Sequence, residues 1–182
     1  MEASSPYRPP QEVVPGGRGE ESDVLTSELA RELLSARLIA NLATLNPDGT
    51  AHVVAMWFVW DGSAVLLPTS RATRKAKNVL RDPRTSVMID DSRGGFDLRG
   101  VTIVGHAELV EPPESLSLNA AIHCKYVTER GLSFDAVRSY LAADDVTIRV
   151  APKKVSSWNL RDTAQGRALE ESGEYYRVGL PA

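Results

Sequence analysis

Two short turn sequences, each placed between apolar segments, constrain the fold of this chain most strongly. Pro47-Asp-Gly-Thr50 separates residues 38–46 from residues 52–60, and Asp61-Gly62 separates the latter from residues 64–68. Turns of this composition between segments rich in alternating apolar and β-branched residues indicate β-hairpins. The sequence therefore predicts three consecutive antiparallel strands.

The remaining apolar patterns extend this sheet and add helices around it. Strands are predicted at 85–90, 98–110, 145–151 and 154–158. Gly100 and Gly105 are interpreted as bends or bulges in the long strand predicted at 98–110. Helices are predicted at about 27–36, between Ser70 and Asp82, at 113–130, and at 134–142, the last with Ser133 as its cap. Six or seven mostly antiparallel strands favour a closed or nearly closed barrel, because closure removes exposed strand edges.

The composition indicates one domain in three parts. Residues 1–22 are rich in proline, glycine and charge and are interpreted as a flexible tail, residues 23–160 as the folded domain, and residues 161–182 as a C-terminal extension. The net charge of −3 gives no general attraction to nucleic acid or to an anionic membrane. With no secretory-type leader and no apolar run long enough to span a bilayer, the sequence predicts a cytoplasmic protein.

The clearest candidate ligand site is the cationic segment at residues 69–84, where hydroxyls and cations crowd the start of a short helix. Unpaired backbone N–H groups at a helix N-terminus attract anions. Nearby side chains can add hydrogen bonds and full charges: Thr69, Ser70, Arg71, Arg74 and Lys75. We predict a phosphate site here; the competing interpretation is a solvated helix face, since Arg and Lys usually point at water.

Metal and nucleophile chemistry have little support. The histidines His52, His106 and His123 fall on separate predicted elements, and Cys124 is the single cysteine. No Ser-His-Asp arrangement is recognisable, so we predict neither a metal site nor a catalytic side chain.

The order of these motifs resembles a known family. Residues 39–50, 56–62 and 70–84 together resemble the flavin-binding split barrels of the pyridoxamine 5'-phosphate oxidase-like superfamily, and within it the actinobacterial branch that uses the deazaflavin coenzyme F-420. The resemblance implies a mainly β fold with peripheral helices: a six-stranded antiparallel split barrel (FMN-binding split barrel) that forms a homodimer with two equivalent cofactor clefts at the interface.

The resemblance also implies roles for particular residues. Lys75, Arg71 and Arg74 would hold the cofactor phosphate, residues 53–57 would line the ring, and Trp158 would lie near the ring edge. The complete set of implied cofactor-binding residues is Val53, Val54, Ala55, Met56, Trp57, Thr69, Ser70, Arg71, Arg74, Lys75, Asn78 and Trp158.

The expected activity is hydride transfer between a bound coenzyme F-420 or FMN and a conjugated small molecule that serves as electron acceptor. The C-terminal Arg-x-His signature of true pyridoxamine phosphate oxidases is not found, so vitamin B6 oxidation is not expected. The polyglutamyl tail of F-420 would favour further cations such as Lys77, Arg81 and Arg84, and the choice between the two cofactors stays open. The alternative is a non-enzymatic flavin, haem or tetrapyrrole carrier, for which His106 or His123 would be the candidate haem ligand.

Overall fold

The structure is a computed structural model, and it describes residues 24–25, 27–92 and 98–173. The predicted tail at 1–22 and residues 174–182 of the predicted C-terminal extension lie outside the described residues. Seven strands form one sheet: β1 (Ala40–Leu45), β2 (Ala51–Met56), β3 (Val59–Trp60), β4 (Val65–Thr69), β5 (Arg84–Asp90), β6 (Arg99–Val110) and β7 (Val146–Asn159).

The sheet is antiparallel throughout and curls into a half-barrel. Its strand order is β2-β1-β5-β6-β7-β4-β3, so β2 and β3 form the two edges. Only Trp57 and Phe58 separate these edge strands in the chain, and a two-residue link is short enough to require that the sheet curl until its edges approach each other. The predicted mainly β split-barrel fold is confirmed, with seven strands rather than six.

One predicted strand is in fact two. The sequence pattern at 52–60 is continuous, but Met56 is the last residue of β2, which pairs with β1, and Val59 begins β3, which pairs with β4. The predicted second strand therefore pairs with the third only through its last two residues, Val59 and Trp60. The chain crosses at Trp57 and Phe58 from one sheet edge to the other.

The last two predicted strands require the opposite correction. The two strands predicted at 145–151 and 154–158 are one continuous strand, β7, which pairs with β4 on one side and with β6 on the other. A register shift between Val104 and Gly105 marks a β-bulge opposite Pro152. The prediction of an irregularity at Gly105 is confirmed, and the bulge lets a proline lie within a paired strand.

In the described part of the chain, six α-helices with complete bounds surround the sheet: α1 (Glu28–Ser35), α2 (Arg74–Arg81), α3 (Glu114–Tyr126), α4 (Glu129–Leu132), α5 (Asp135–Leu141) and α6 (Ala164–Ser172). The side chains of Ser27 and Thr73 cap α1 and α2 by accepting the backbone N–H of the third residue after them. The predicted helix at 113–130 ends at Tyr126, and α5 is preceded by Phe134, so Ser133 is not its cap. Beyond Asn159, the described residues form a short 3-10 helix and α6.

The main core lies inside the curl of the sheet, where α1 closes it. Its fully buried members come from every long strand and from α1: Leu33, Leu42, Phe58, Leu67, Val87, Ile89, Val101, Ile103, Ile148 and Val150. A smaller cluster of Ala64, Leu66 and Ile122 lies under α3, where Trp57, Val59 and Tyr126 pack against it. The helix α3 is thereby fixed against the β3–β4 edge, next to the cleft described below.

Candidate functional site

A cleft of about 500 Å³ opens where the end of β2, the end of β4 and the start of α2 meet the segment that follows α5. A volume of this size is typical of small-molecule sites. Thirteen residues line it: Ile39, Ala55, Met56, Trp57, Pro68, Thr69, Ser70, Thr73, Lys75, Tyr140, Leu141, Ala143 and Asp144. One end is polar and hydroxyl-rich, and the rest is largely apolar.

The polar end is the turn that leads into α2. Thr73 hydrogen bonds to the buried Thr69 through their hydroxyls at 3.1 Å, and its Oγ1 donates to the Ser70 carbonyl at 2.8 Å. Within the described residues, the backbone N–H groups of Arg74 and Lys75, the first two residues of the helix, donate no hydrogen bond. The arrangement can accept an anion through backbone donors and hydroxyls.

Lys75 supplies the positive charge of this cleft. Its side chain is half-buried, and desolvation lowers the pKa of its ammonium group below the ordinary value, while the nearby charge of Asp144 acts in the opposite direction. A partly desolvated ammonium beside free N–H donors interacts more strongly with an anion than an exposed one.

Trp57 forms the apolar wall of the cleft and is held from behind by α3. Its ring stacks on Tyr126 with 5.0 Å between ring centroids and a 2° interplanar angle, and the edge of His123 lies against it at 6.2 Å. The Tyr126 hydroxyl donates to the Leu38 carbonyl at 2.7 Å and accepts from the Phe58 N–H at 3.3 Å. Burial raises the pKa of this phenol, so it stays protonated and keeps both bonds.

Asp144 brings a carboxylate to the polar end. Its Oδ2 lies 3.0 Å from Nε2 of the buried His123, and since an ionised carboxylate only accepts, the imidazole donates this bond. Its carbonyl accepts from Asn119 Nδ2 at 3.0 Å. Asp144 is therefore fixed in place by two residues of α3.

Of the twelve predicted cofactor-binding residues, the structure brings six together in this cleft: Ala55, Met56, Trp57, Thr69, Ser70 and Lys75. Arg71 instead forms an ion pair with Glu111. Arg74 lines a second, shallower cleft of about 460 Å³ on the other flank of α2, together with Lys77 and Arg81.

Asn78 is a structural residue of the α2 anchor. It is 1% exposed, and its Nδ2 donates to Thr44 Oγ1 at 3.1 Å and to Asn46 Oδ1 at 3.2 Å. These bonds tie the cationic helix to β1 and the hairpin turn. Asn78 lines the second cleft and not the first.

Three further predicted residues lie on or under the sheet rather than in the cleft. Val54 packs against the main core, whereas Val53 is 60% exposed on the outer face of β2. Trp158 lies near the end of β7 opposite Gly100, while Val146, at the start of the same strand, is the residue that pairs with Thr69. Within one subunit, Trp158 is thus distant from the polar end of the cleft.

Several lining residues were not predicted. Thr73 carried a usable signal, since a threonine before an Arg/Lys-rich helical pattern is a common N-cap. Asp144 and Tyr140 carried none, because α5 and the segment that follows it reach the site only in the folded chain. Within residues 24–25, 27–92 and 98–173, no group of three His, Cys, Asp or Glu is arranged to hold a metal ion, and no helix is long and apolar enough to cross a membrane.

Comparison with known proteins gives a family match over most of the chain. The family model described as pyridoxamine 5'-phosphate oxidase matches residues 26–159, which includes all seven strands and the cleft. No curated protein matches the chain.

Solved structures give the same fold. A conserved hypothetical protein, Rv2991 from Mycobacterium tuberculosis, is 28% identical, with 91% of each chain covered and a TM-score of 0.61. An F420 reductase is also 28% identical, covering 69% of this chain and 94% of its own, with a TM-score of 0.55. HutZ, the heme storage protein from Vibrio cholerae, is 20% identical over 71% of this chain and 90% of its own, with a TM-score of 0.56.

Proposed function

Because the chain belongs to the pyridoxamine 5'-phosphate oxidase family, and its cleft joins an anion site to an aromatic wall, we propose that it is an oxidoreductase that uses a bound deazaflavin or FMN. The observation that carries this proposal is the shared cleft of Lys75 and Trp57. The first suits a phosphate and the second a planar ring. The similarity to an F420 reductase favours the deazaflavin.

The residues of the cleft fit such a cofactor. The phosphate would lie against the free N–H groups of Arg74 and Lys75 and the hydroxyl of Ser70, with the Lys75 ammonium beside it. The ring would lie along Ala55 and Met56, with Trp57 at its side. Neither role requires Arg71 or Arg74, whose side chains are directed elsewhere.

The bound cofactor would supply hydride transfer, and the protein would supply position and electrostatics. Tyr126 and His123 hold Trp57 in one orientation, which fixes the width of the ring site. Lys75 holds positive charge at one end of the cleft.

The proposal is tested by titrating purified protein with coenzyme F-420 and with FMN, following fluorescence quenching, and then assaying the loaded protein with quinone, enone and tetrapyrrole acceptors. We expect micromolar or tighter binding of at least one cofactor and acceptor-dependent oxidation of its reduced form. Tight binding without turnover of any acceptor would contradict the oxidoreductase and favour a carrier. Binding of neither would contradict the cofactor site itself.

We also propose that the protein is a homodimer that buries the outer face of the sheet. Cross-strand neighbours place Val53, Ala43, Ser86 and Val104 in one row on this face, with Met88 beside them. Val53, Val104 and Met88 are 60%, 44% and 37% exposed. An apolar row across four strands is typical of a surface covered by a partner. Trp158 lies on the same face, so its predicted role at the ring requires a second copy.

Val53→Asp is expected to convert the dimer into a monomer, because twofold symmetry places the unpaired charge in the interface twice and raises the dissociation constant on the order of 100-fold. Light scattering coupled to gel filtration measures the mass. Leu116→Asp, at a comparably exposed leucine on α3, is the control and should leave the mass unchanged. A dimeric Val53→Asp protein would exclude this face as the interface.

A further inference from the structure

The charge balance of the cleft limits the ligands it can hold. Among the described residues that line it, Lys75 is the one cation and Asp144 the one carboxylate. The other two cations predicted for this site are occupied elsewhere, Arg71 with Glu111 and Arg74 in the second cleft. The polar end therefore carries no net excess of side-chain charge.

The carboxylate belongs to the polar end and is held there. In the ladder between β4 and β7, Thr69 pairs with Val146, which places Asp144 and Asp145 beside the turn that begins α2. Asp145 Oδ1 accepts the Arg71 N–H of that turn at 2.7 Å. Asp144, fixed by His123 at 3.0 Å, lines the same cleft as Lys75. Its charge opposes the lowering of the Lys75 pKa by desolvation.

A fixed carboxylate affects anions according to their charge. A phosphomonoester carries close to two negative charges above its second pKa of about 6, whereas a phosphodiester carries one. Attraction to Lys75 and repulsion from Asp144 both grow with the charge of the anion and oppose each other, so the two side chains together offset little of the larger desolvation cost of a dianion. The repulsion from Asp144 taken alone costs a monoester about twice as much as a diester, so removal of this carboxylate favours the monoester more.

We propose that Asp144 is a specificity-determining residue that makes the cleft selective for a phosphodiester monoanion over a phosphomonoester dianion. This inference rests on the proposed function and deepens it. Coenzyme F-420 carries its phosphate as a diester and FMN as a terminal monoester, so the charge of the cleft favours the deazaflavin.

The experiment measures what the phosphate contributes to the binding of each ring. Affinities of FMN and riboflavin are compared, and likewise those of F-420 and its deazaflavin chromophore without phosphate and tail, at pH 8 and low ionic strength. These conditions keep the monoester fully ionised and limit screening. Asp144→Asn is the test variant, since the amide oxygen can still accept the bond from His123 and the fold is retained. Asp135→Asn, an exposed carboxylate on α5 paired with Arg138, is the matched control.

In the wild-type protein, the phosphate is expected to strengthen deazaflavin binding more than flavin binding. In Asp144→Asn, the affinity ratio of FMN to riboflavin should rise roughly three- to tenfold and the corresponding deazaflavin ratio only two- to threefold. Asp135→Asn should change neither. Unchanged ratios in Asp144→Asn, or equal increases for both rings, would overturn the inference while leaving the proposed function intact. Failure of all four compounds to bind the wild-type protein would overturn both.

Discussion

Replacing Lys75 with alanine is expected to weaken the binding of F-420 or FMN by roughly 10- to 100-fold, the effect of removing one charge-assisted hydrogen bond from a partly desolvated site. Lys75 is the cation of the cleft, and its side chain is half-buried beside the free N–H groups of the first helical turn. Isothermal titration or fluorescence quenching measures the loss. Binding of phosphate-free riboflavin should change little, because the substitution removes the partner of the phosphate and leaves the ring site.

The adjacent cation on the same helix provides the control. Lys77 is two residues further along α2 and lines the second cleft with Arg74 and Arg81. Lys77→Ala removes the same charge from the same helix, and it should alter the affinity for FMN, which has no polyglutamyl tail, by less than about threefold. Equal losses in the two variants would show that the helix attracts the cofactor only through its overall charge. Unchanged affinity in Lys75→Ala would refute the phosphate site.

The largest effect on stability is expected from Gly105→Ala. The β-bulge between β6 and β7 brings the Ala151 carbonyl oxygen so near to the Gly105 Cα that an added Cβ would collide with backbone, which cannot rotate away. Displacing two paired central strands costs about 3 kcal/mol of the free energy of unfolding. For a protein of this size, the melting temperature should fall by about 6 to 12 °C. Differential scanning calorimetry or thermal denaturation by circular dichroism measures it.

Two neighbouring substitutions separate this collision from a general sensitivity of β6. His106→Ala, at an exposed position one residue away, should cost less than about 1 kcal/mol. Gly100→Ala would collide with the Trp158 indole, a side chain that can move, so it should cost less than Gly105→Ala while shifting tryptophan fluorescence. If Gly105→Ala were as mild as His106→Ala, the bulge would not have the geometry described.

The difference between the two glycine positions illustrates what sequence patterns can predict. A glycine inside a strand pattern indicates a bend or bulge, and at Gly105 that prediction is confirmed by the register shift. The capping serine at the start of α1 and the turn at Asp61-Gly62 are equally local signals. In each case the physical cause lies within a few residues, in a side chain that satisfies nearby backbone groups or a backbone angle that it allows.

The strand at 52–60 was mispredicted because its end depends on long-range strand pairing and not on nearby residues. Its alternation of apolar and β-branched residues continues through Trp57 and Phe58, so nothing in the local pattern marks the change of partner. The break arises because β2 has β1 as neighbour while β3 has β4. Pairing partners are decided by the curl of the whole sheet, which no segment encodes alone.

The candidate site shows the same division between local and long-range causes. The sequence by itself determined a sheet of antiparallel strands and a capped cationic helix, because hydrophobic periodicity, turn residues and caps act over a few residues. Only the tertiary structure decided that Lys75 lines the cleft while Arg71 and Arg74 do not, and that Asp144, from a distant part of the chain, lines the same cleft. Successive side chains on a helix point 100° apart. Which of them reaches a cleft depends on how the helix packs, and packing is a property of the folded molecule.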